Sequence, residues 1–408
     1  MTAAPEREIP SARLAGVSRR AGEDVRVAAL RTLDELEALR EEWLPLLDSS
    51  ITTHPDYYRA VIETEPQVEA PYVLTVRRDG RLEAMLLARF ERIPLPCKLG
   101  YRTIYAPRVR SITVIYEGYL GNVEEHGARL VAELRSAIDR GDADVLLFRH
   151  LNVDHPLHRA AIDGGGRLSR QRMARRMVCW ERTLPPTFDE FLGSLSKSTR
   201  SGLTRYMKKL DRDFADRLET RKFRNPDELD DYFRDAELVA AKSYQRGLGA
   251  GVRDNPRQRQ RAKVAAEHGW FRAHMLYVDG APIAFCGGEG FHERFRYGIP
   301  AYDPEYSDYR VGNYVLMKLI EDLCEDPELT LLDFGFGDAE YKRRFGDRSW
   351  SEEDVLIYAR RPRPAFINVV RTSFLGLNSA ALALGKRTGV LSRIKNWWRS
   401  RLRAAPQS

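Results

Sequence analysis

The residues with the most chemical promise lie together between Tyr297 and Gly346, in the run YGIPAYDPEYSDYRVGNYVLMKLIEDLCEDPELTLLDFGFGDAEYKRRFG. A strand pattern ends at Ala301-Tyr302, and a polar loop holding Tyr309, Arg310, Val311, Gly312, Asn313 and Tyr314 opens directly onto a helical pattern. Glycine lets the backbone approach a ligand closely, and the free N–H groups and dipole of a helix start favour an anion such as a diphosphate. Arg310 adds a charge-assisted donor to that grip. Many loops put glycine before a helix, so Arg-x-Gly-Asn alone is a weak signal. Tyr341 opens a later helical pattern, where it is either a proton donor or a packing aromatic. Glu289, Asp303 and Asp333 are the candidate general bases. Asp333 before Gly335, and Asp303 before Pro304, serve equally well as turn formers.

These residues need elements to hold them, and the pattern supplies the same set twice. From residue 25 the chain reads strand (VRVAALRT), helix (DELEALREEWLPLLDS) and a short helix after His54-Pro55. A hairpin turning at Asp79-Gly80 follows, then an irregular stretch, a helix (EEHGARLVAELRSAIDR) and a strand (DVLLFRHL). The second round reads strand LETRKF, helix PDELDDYFRDAELVAAKSY with Pro226 at its start, helix PRQRQRAKVAAEHG, and a hairpin turning at Asp279-Gly280. Strand, loop, helix, strand and helix then lead to a last strand, VLIYARR. The order of elements, more than the local match of DGRLEA to DGAPIA, reads as a tandem duplication. Each half is expected to form a mixed sheet flanked by helices, an α/β (α+β) architecture.

Between the halves a helix carries Lys197, Arg200, Arg205, Lys208, Lys209 and Arg212; it is either a wall of positive charge on the cleft or a solvated cationic face. The division expected is a disordered leader at 1–24, a first unit at 25–178, a second at 179–362 and an amphipathic basic tail at 363–408. Four scattered cysteines without CxxC spacing argue against zinc and against a disulfide scaffold, and fit a reducing cytoplasm. The histidines show no metal-binding spacing, and His150, His155 and His158 after a first-half strand are either surface loop residues or the lining of a pocket. A net charge of +7 points to an anionic partner or only to an arginine-rich composition. No signal-peptide pattern, apolar membrane span, GxSxG elbow or Walker A loop is present.

The Arg310–Tyr314 segment resembles the coenzyme A diphosphate loop of the GNAT superfamily, with Asn313 or Tyr314 where a second small residue is usual. Tyr341–Gly346 resembles the tyrosine-bearing helix start of that superfamily, with the final Phe–Gly order exchanged. Together with SKSTR…LTRYMKKL, these motifs resemble the CelD/BcsL-type acetyltransferases of cellulose biosynthesis, relatives of the FemAB peptidyltransferases. The resemblance covers most of residues 25–362. It implies tandem GNAT-like domains, an acyl-CoA co-substrate, no metal, and Tyr341 as the acid for the departing thiolate. The bottom-up chemistry is compatible, since acyl transfer needs an amine base, an oxyanion donor and a thiolate acid. A backbone N–H released where the strand bends at Pro300 is the oxyanion candidate.

The first half lacks both grips, so it is expected to wall the acceptor site, with Lys197, Arg200, Tyr302 and Lys342 contacting the acceptor. That acceptor is an amine of a sugar, an amino compound or an envelope- or polysaccharide-related precursor. Aminoacyl-tRNA as donor, and a non-catalytic role in polysaccharide assembly, are the alternatives. The apolar-then-basic tail with Trp397-Trp398 is expected either to dock on the protein or to touch the inner membrane face of a cytoplasmic enzyme.

Overall fold

The computed structural model describes residues 24–99, 102–163, 169–170, 176–243, 246 and 251–387. The expected leader, and the tail beyond residue 387, fall outside the described residues.

In the first half, β1 (Val25–Leu30) is followed by α1 (Leu33–Ala38), α2 (Arg40–Trp43) and α3 (Pro55–Thr64). Thr32 and Glu35 close a reciprocal capping box at the start of α1, satisfying two backbone donors the helix leaves open. Strands β2 (Val68–Arg78) and β3 (Arg81–Pro94) make the expected hairpin. Asp79 (φ 50°) and Gly80 (φ 85°) both take the left-handed conformation that a two-residue turn between right-twisted strands requires.

The stretch read as irregular is not so. It forms a small hairpin, β4 (Cys97–Leu99) with β5 (Arg102–Tyr105), and the fourteen-residue strand β6 (Arg108–Gly121). Its prolines and arginines masked an alternation that only pairing with β3 stabilises. Helices α4 (Val123–Arg140) and α5 (Pro156–Asp163) flank β7 (Val145–Asn152).

Strand β8 (Arg176–Thr183) leads through α6 (Phe188–Ser194) and α7 (Lys197–Phe214) to the second half. There β9 (Leu218–Phe223), α8 (Leu229–Lys242), α9 (Pro256–Glu267), β10 (Phe271–Val278) and β11 (Ala281–Phe291) repeat the first round. Asp279 (φ 52°) and Gly280 (φ 76°) repeat its turn, and both hairpins slip register at equivalent places, Val76/Arg77 and Leu276/Tyr277. Next come β12 (Arg294–Tyr297), β13 (Ala301–Tyr302), α10 (Val311–Cys324), β14 (Leu331–Phe336), α11 (Glu340–Phe345), β15 (Arg348–Tyr358) and α12 (Pro362–Arg387).

All strands except β4 and β5 join one sheet in the order β1-β2-β3-β6-β7-β15-β8-β14-β12-β11-β10-β9, with β13 beside β11. The order reads the same from either edge: three antiparallel pairings, a parallel pair (β6–β7; β12–β14), then a closing antiparallel strand. The closing strands are exchanged. β8 follows β7 in the chain but pairs with β14, and β15 follows β14 but pairs with β7. The two pair with each other from Arg348–Glu181 to Glu353–Arg176, so the tandem units share one continuous backbone ladder. This is a mixed α/β tandem GNAT-like fold.

Helices cover the second half on both faces. α6, α7 and α10 pack one side with Leu203, Phe295, Val315 and Phe345; α8 and α9 pack the other with Tyr232, Phe233 and Phe285. Ile51, Tyr57 and Val61 of the first half join that second cluster, so the first half reaches across the seam.

Candidate functional site

The parallel pair β12–β14 holds for three registers, Arg294–Leu331, Phe295–Leu332 and Arg296–Asp333, and then opens. The chain leaves the ladder at Gly298, whose N–H is held by the Gly287 carbonyl at 2.7 Å, and rejoins β11 as β13. A wedge is left between residues 297–301 and 334–336. Tyr297, Phe334 and Tyr341 meet edge to face at its side, with ring centres 5.9 to 6.3 Å apart. Tyr341 therefore reaches the wedge and also packs in it, so the two expectations for it are compatible.

The loop after β13 is tied down before it reaches α10. Asp303 caps a short 3-10 helix by accepting from the Glu305 N–H at 3.1 Å, and takes the Lys242 ammonium at 2.6 Å. The structure thus gives Asp303 an anchoring position, with both oxygens engaged. Arg310 then adopts φ 55° and ψ 38°, a left-handed conformation that disfavours any side chain with a Cβ, and α10 starts behind it. A non-glycine residue held there stores strain beside a free helix start. Tyr302 lies against Gly312, where an added Cβ would come within 3.3 Å of its ring.

Helix α7 runs beside this loop. The Lys209 ammonium lies 4.2 Å from the Tyr309 ring centre, the Arg310 guanidinium 5.6 Å from that of Tyr206, and Tyr314 donates to Asp211 at 3.4 Å. From there an open groove of about 840 Å³ follows one face of α7, lined by Lys197, Arg200, Arg205, Lys208, Lys209 and Arg212. At 1.5 Å per residue that stripe is about 20 Å long. Lys197 and Arg200 occupy the end of the stripe away from Lys209 and the Arg310 loop. Lys342 does enter the wedge region, where its ammonium donates to the carbonyls of Phe336 (2.8 Å) and Gly335 (3.2 Å), and burial lowers its pKa.

On the other face of the sheet, where the two halves meet, carboxylates are crowded. Asp48, Glu117, Glu181, Glu289 and Asp333 surround Arg294 and Arg296, and Glu352 lies beside Glu117 and Asp333. Arg294 donates to Glu117 at 2.8 Å and lies 3.7 Å from Glu181; the Arg296 guanidinium sits over the Tyr116 ring at 4.8 Å. Burial raises the carboxyls of Asp48, Glu181, Glu289 and Asp333 above the ordinary range. Asp333 also accepts the Gly335 N–H at 2.7 Å, so its turn-forming role is realised alongside its place at the mouth of the wedge.

Glu352 is the acid that sequence reasoning missed. It is 2% exposed, on β15. Its Oε1 accepts from Trp350 Nε1 at 2.7 Å and from the Tyr116 hydroxyl at 3.4 Å, and the buried Cys179 thiol of the neighbouring strand also faces the carboxyl. Burial pushes its pKa up to about 7. The signal in sequence was two consecutive acids inside a strand, Glu352-Glu353, one of which must face inward. Its partner Tyr116 lies in the other half, which no local spacing reveals. His150 (φ 46°) occupies in β7 the place that Gly335 (φ 67°) has in β14, and its ring stacks on Phe336 at 4.0 Å. His155 lies in the loop after β7 as expected, its ring tilted over Tyr119, whereas His158 lies in α5 and is bound to Glu353 at 2.7 Å.

Among the described residues, His54, Asp56 and His268 come near enough to share an ion. Arg40 already holds both Asp56 oxygens, at 2.6 and 2.8 Å, so the carboxylate is satisfied by a guanidinium.

Residues 197–343 match the acetyltransferase (GNAT) domain family. That stretch runs from the first residue of α7 through Lys342-Arg343 of α11, and so contains the cationic stripe, the Arg310 loop, the wedge and Tyr341. The match lies wholly within the second half. The fold is also that of solved structures of low identity. A crystal structure of FemX aligns with a TM-score of 0.56 at 12% identity, over 83% of this chain and 99% of that one. The C-terminal domain of a putative lysylphosphatidylglycerol synthetase from Agrobacterium fabrum gives 0.50 at 11%, over 84% and 96%. No curated protein sequence matches the chain.

Proposed function

We propose that the protein is an acyl-CoA-dependent N-acyltransferase of the CelD/BcsL type. The reading rests on one observation above the others: β12 and β14 part beside a free helix start that Arg310 flanks in a strained conformation. The diphosphate of the donor is assigned to the start of α10, from Tyr309 to Tyr314, and the acyl thioester to the wedge. The acceptor amine enters from the carboxylate-rich seam between the halves, where excess acid favours an ammonium-bearing substrate. Glu352, held near neutrality by burial, takes the proton as the amine attacks the thioester carbonyl. Asp333 and Glu289 line the approach. The C–S bond then breaks, and Tyr341 protonates the departing thiolate. A sugar amine or an envelope precursor is the acceptor class in this reading.

Calorimetric titration with coenzyme A, acetyl-CoA and longer acyl-CoAs tests it. Binding is expected for the native protein and is lost in Gly312→Asp, which sets a carboxylate in the anion grip and against Tyr302. If no acyl-CoA binds the native protein, this donor is wrong.

The stripe on α7 favours a second donor, aminoacyl-tRNA. Six cations over about 20 Å exceed what one diphosphate needs. Under that reading tRNA binds with a steep salt dependence and coenzyme A does not displace it.

A further inference from the structure

Helix α12 turns an apolar stripe outward. Its exposed positions include Phe366, Val369, Ser373, Leu377 and Ala380, which recur at helical spacing and carry no charge. Phe366, Val369 and Leu377 are 62%, 60% and 59% exposed. An ordinary surface helix buries such a stripe and shows its charges. The opposite side of α12 is the one in contact: Ile367 is buried against Ile93, Leu95, Leu356 and Tyr358. The outward apolar face is thus additional to the docking surface that the sequence led one to expect.

The β4–β5 hairpin packs against this helix, with Asn378 of α12 donating to the Lys98 carbonyl. It too is turned inside out, with Leu99, Ile104 and Tyr105 exposed at 50%, 57% and 45%. A two-stranded hairpin outside the main sheet gains little stability by itself and is normally covered.

Charge says what covers the pair. From Arg92 to Tyr116 the chain has five lysines and arginines and no carboxylate. After Asp354 it has eleven and again no carboxylate. With +7 for the whole chain, the first 354 residues carry a net −4. The last 54 residues thus more than account for the positive balance of the protein, and α12, which opens that segment, packs beside the acid-free stretch 92–116. Exposed aliphatic and aromatic groups among cations, on a protein whose remainder is acidic, match an anionic lipid surface rather than a protein partner of mixed charge. Among the described residues no helix is long and apolar enough to cross a membrane, so the contact is peripheral.

We infer that the β4–β5 hairpin and the outer face of α12 form one docking surface for an anionic phospholipid membrane. Leu99, Ile104, Tyr105 and the α12 stripe enter the headgroup boundary, and Lys98, Arg102 and Arg363 engage the lipid phosphates. The surface is separate from the wedge, so docking leaves transfer chemistry untouched.

Full-length protein is mixed with vesicles of phosphatidylglycerol or of phosphatidylcholine alone, and flotation measures the bound fraction. Binding to phosphatidylglycerol vesicles is expected, with loss in high salt and little binding to phosphatidylcholine. Ile104→Glu with Val369→Glu is expected to weaken partitioning by at least about tenfold. Leu238→Glu, at an equally exposed leucine on α8, is expected to change nothing. Equal partitioning of the double variant and the native chain overturns the proposal. So does failure of the native chain to float, and so does a native dimer, seen by sedimentation, that the double variant dissociates.

Discussion

Replacing Glu352 by glutamine tests the seam without knowledge of the acceptor. The ordinary carboxyl would titrate at 4.5, and burial holds this one at about 7. A raised folded-state pKa means that the burden is absent below the unfolded value, grows as pH rises through the interval, and is complete above the folded value. The interval corresponds to about 3 kcal/mol of folding stability withheld at alkaline pH. Glu352→Gln removes that burden while Oε1 keeps its bonds from Trp350 and Tyr116. The new amide N–H group must find a partner among the neighbouring carboxylates, which reduces the gain. The variant is expected to melt higher than the native protein near pH 8 and at about the same temperature near pH 4.5, by scanning calorimetry at both values. Transfer to an amine, which in the native protein rises with pH through about 7, is expected to fall roughly a hundredfold or more and to lose that rise. A variant no more stable at alkaline pH, or one that keeps the native pH–rate profile, refutes the reasoning and returns the base role to Asp333 or Glu289.

Three other outcomes follow from the same geometry. Arg310→Gly is expected to raise stability over Arg310→Ala by about 1 kcal/mol, because glycine takes φ 55° freely, while both weaken coenzyme A about tenfold or more by calorimetry. Asp322 is buried at the end of α10 beside His274 (3.3 Å), Lys222 (2.6 Å) and Arg224 (2.6 Å); burial alone would raise its carboxyl, but these partners hold it well below the usual range. Its contribution is thus present above the ordinary carboxyl pKa and lost only in strong acid, and Asp322→Asn is expected to cost about 3 kcal/mol or more in denaturant unfolding at neutral pH. Tyr341→Phe is expected to leave coenzyme A affinity nearly unchanged and to slow acyl transfer, measured as thiol release; an unaltered rate would assign Tyr341 to packing alone.

Local chemistry made much of the molecule legible. Asp-Gly turns, Pro226 at a helix start and the glycine in the first turn of α10 act within a few residues, and the repeated order of elements carried the tandem arrangement. The helix start from Tyr309 to Tyr314 could be marked because a helix start is a local object. What pairing across the chain decides could not be read. Strand β6 looked irregular because its arginines and prolines obscure an alternation that only β3 completes. The exchange of β8 and β15 joins residues separated by most of a half, and no spacing records it. Asp303 looked like a base until its cap and its bond to Lys242 were visible, and Glu352 was not singled out at all. Its altered acidity comes from burial against Tyr116, Trp350 and neighbouring carboxylates from both halves. Sequence by itself determined which residues can donate, accept or turn. Tertiary structure decided which are taken out of water together, because desolvation and charge crowding depend on neighbours in space.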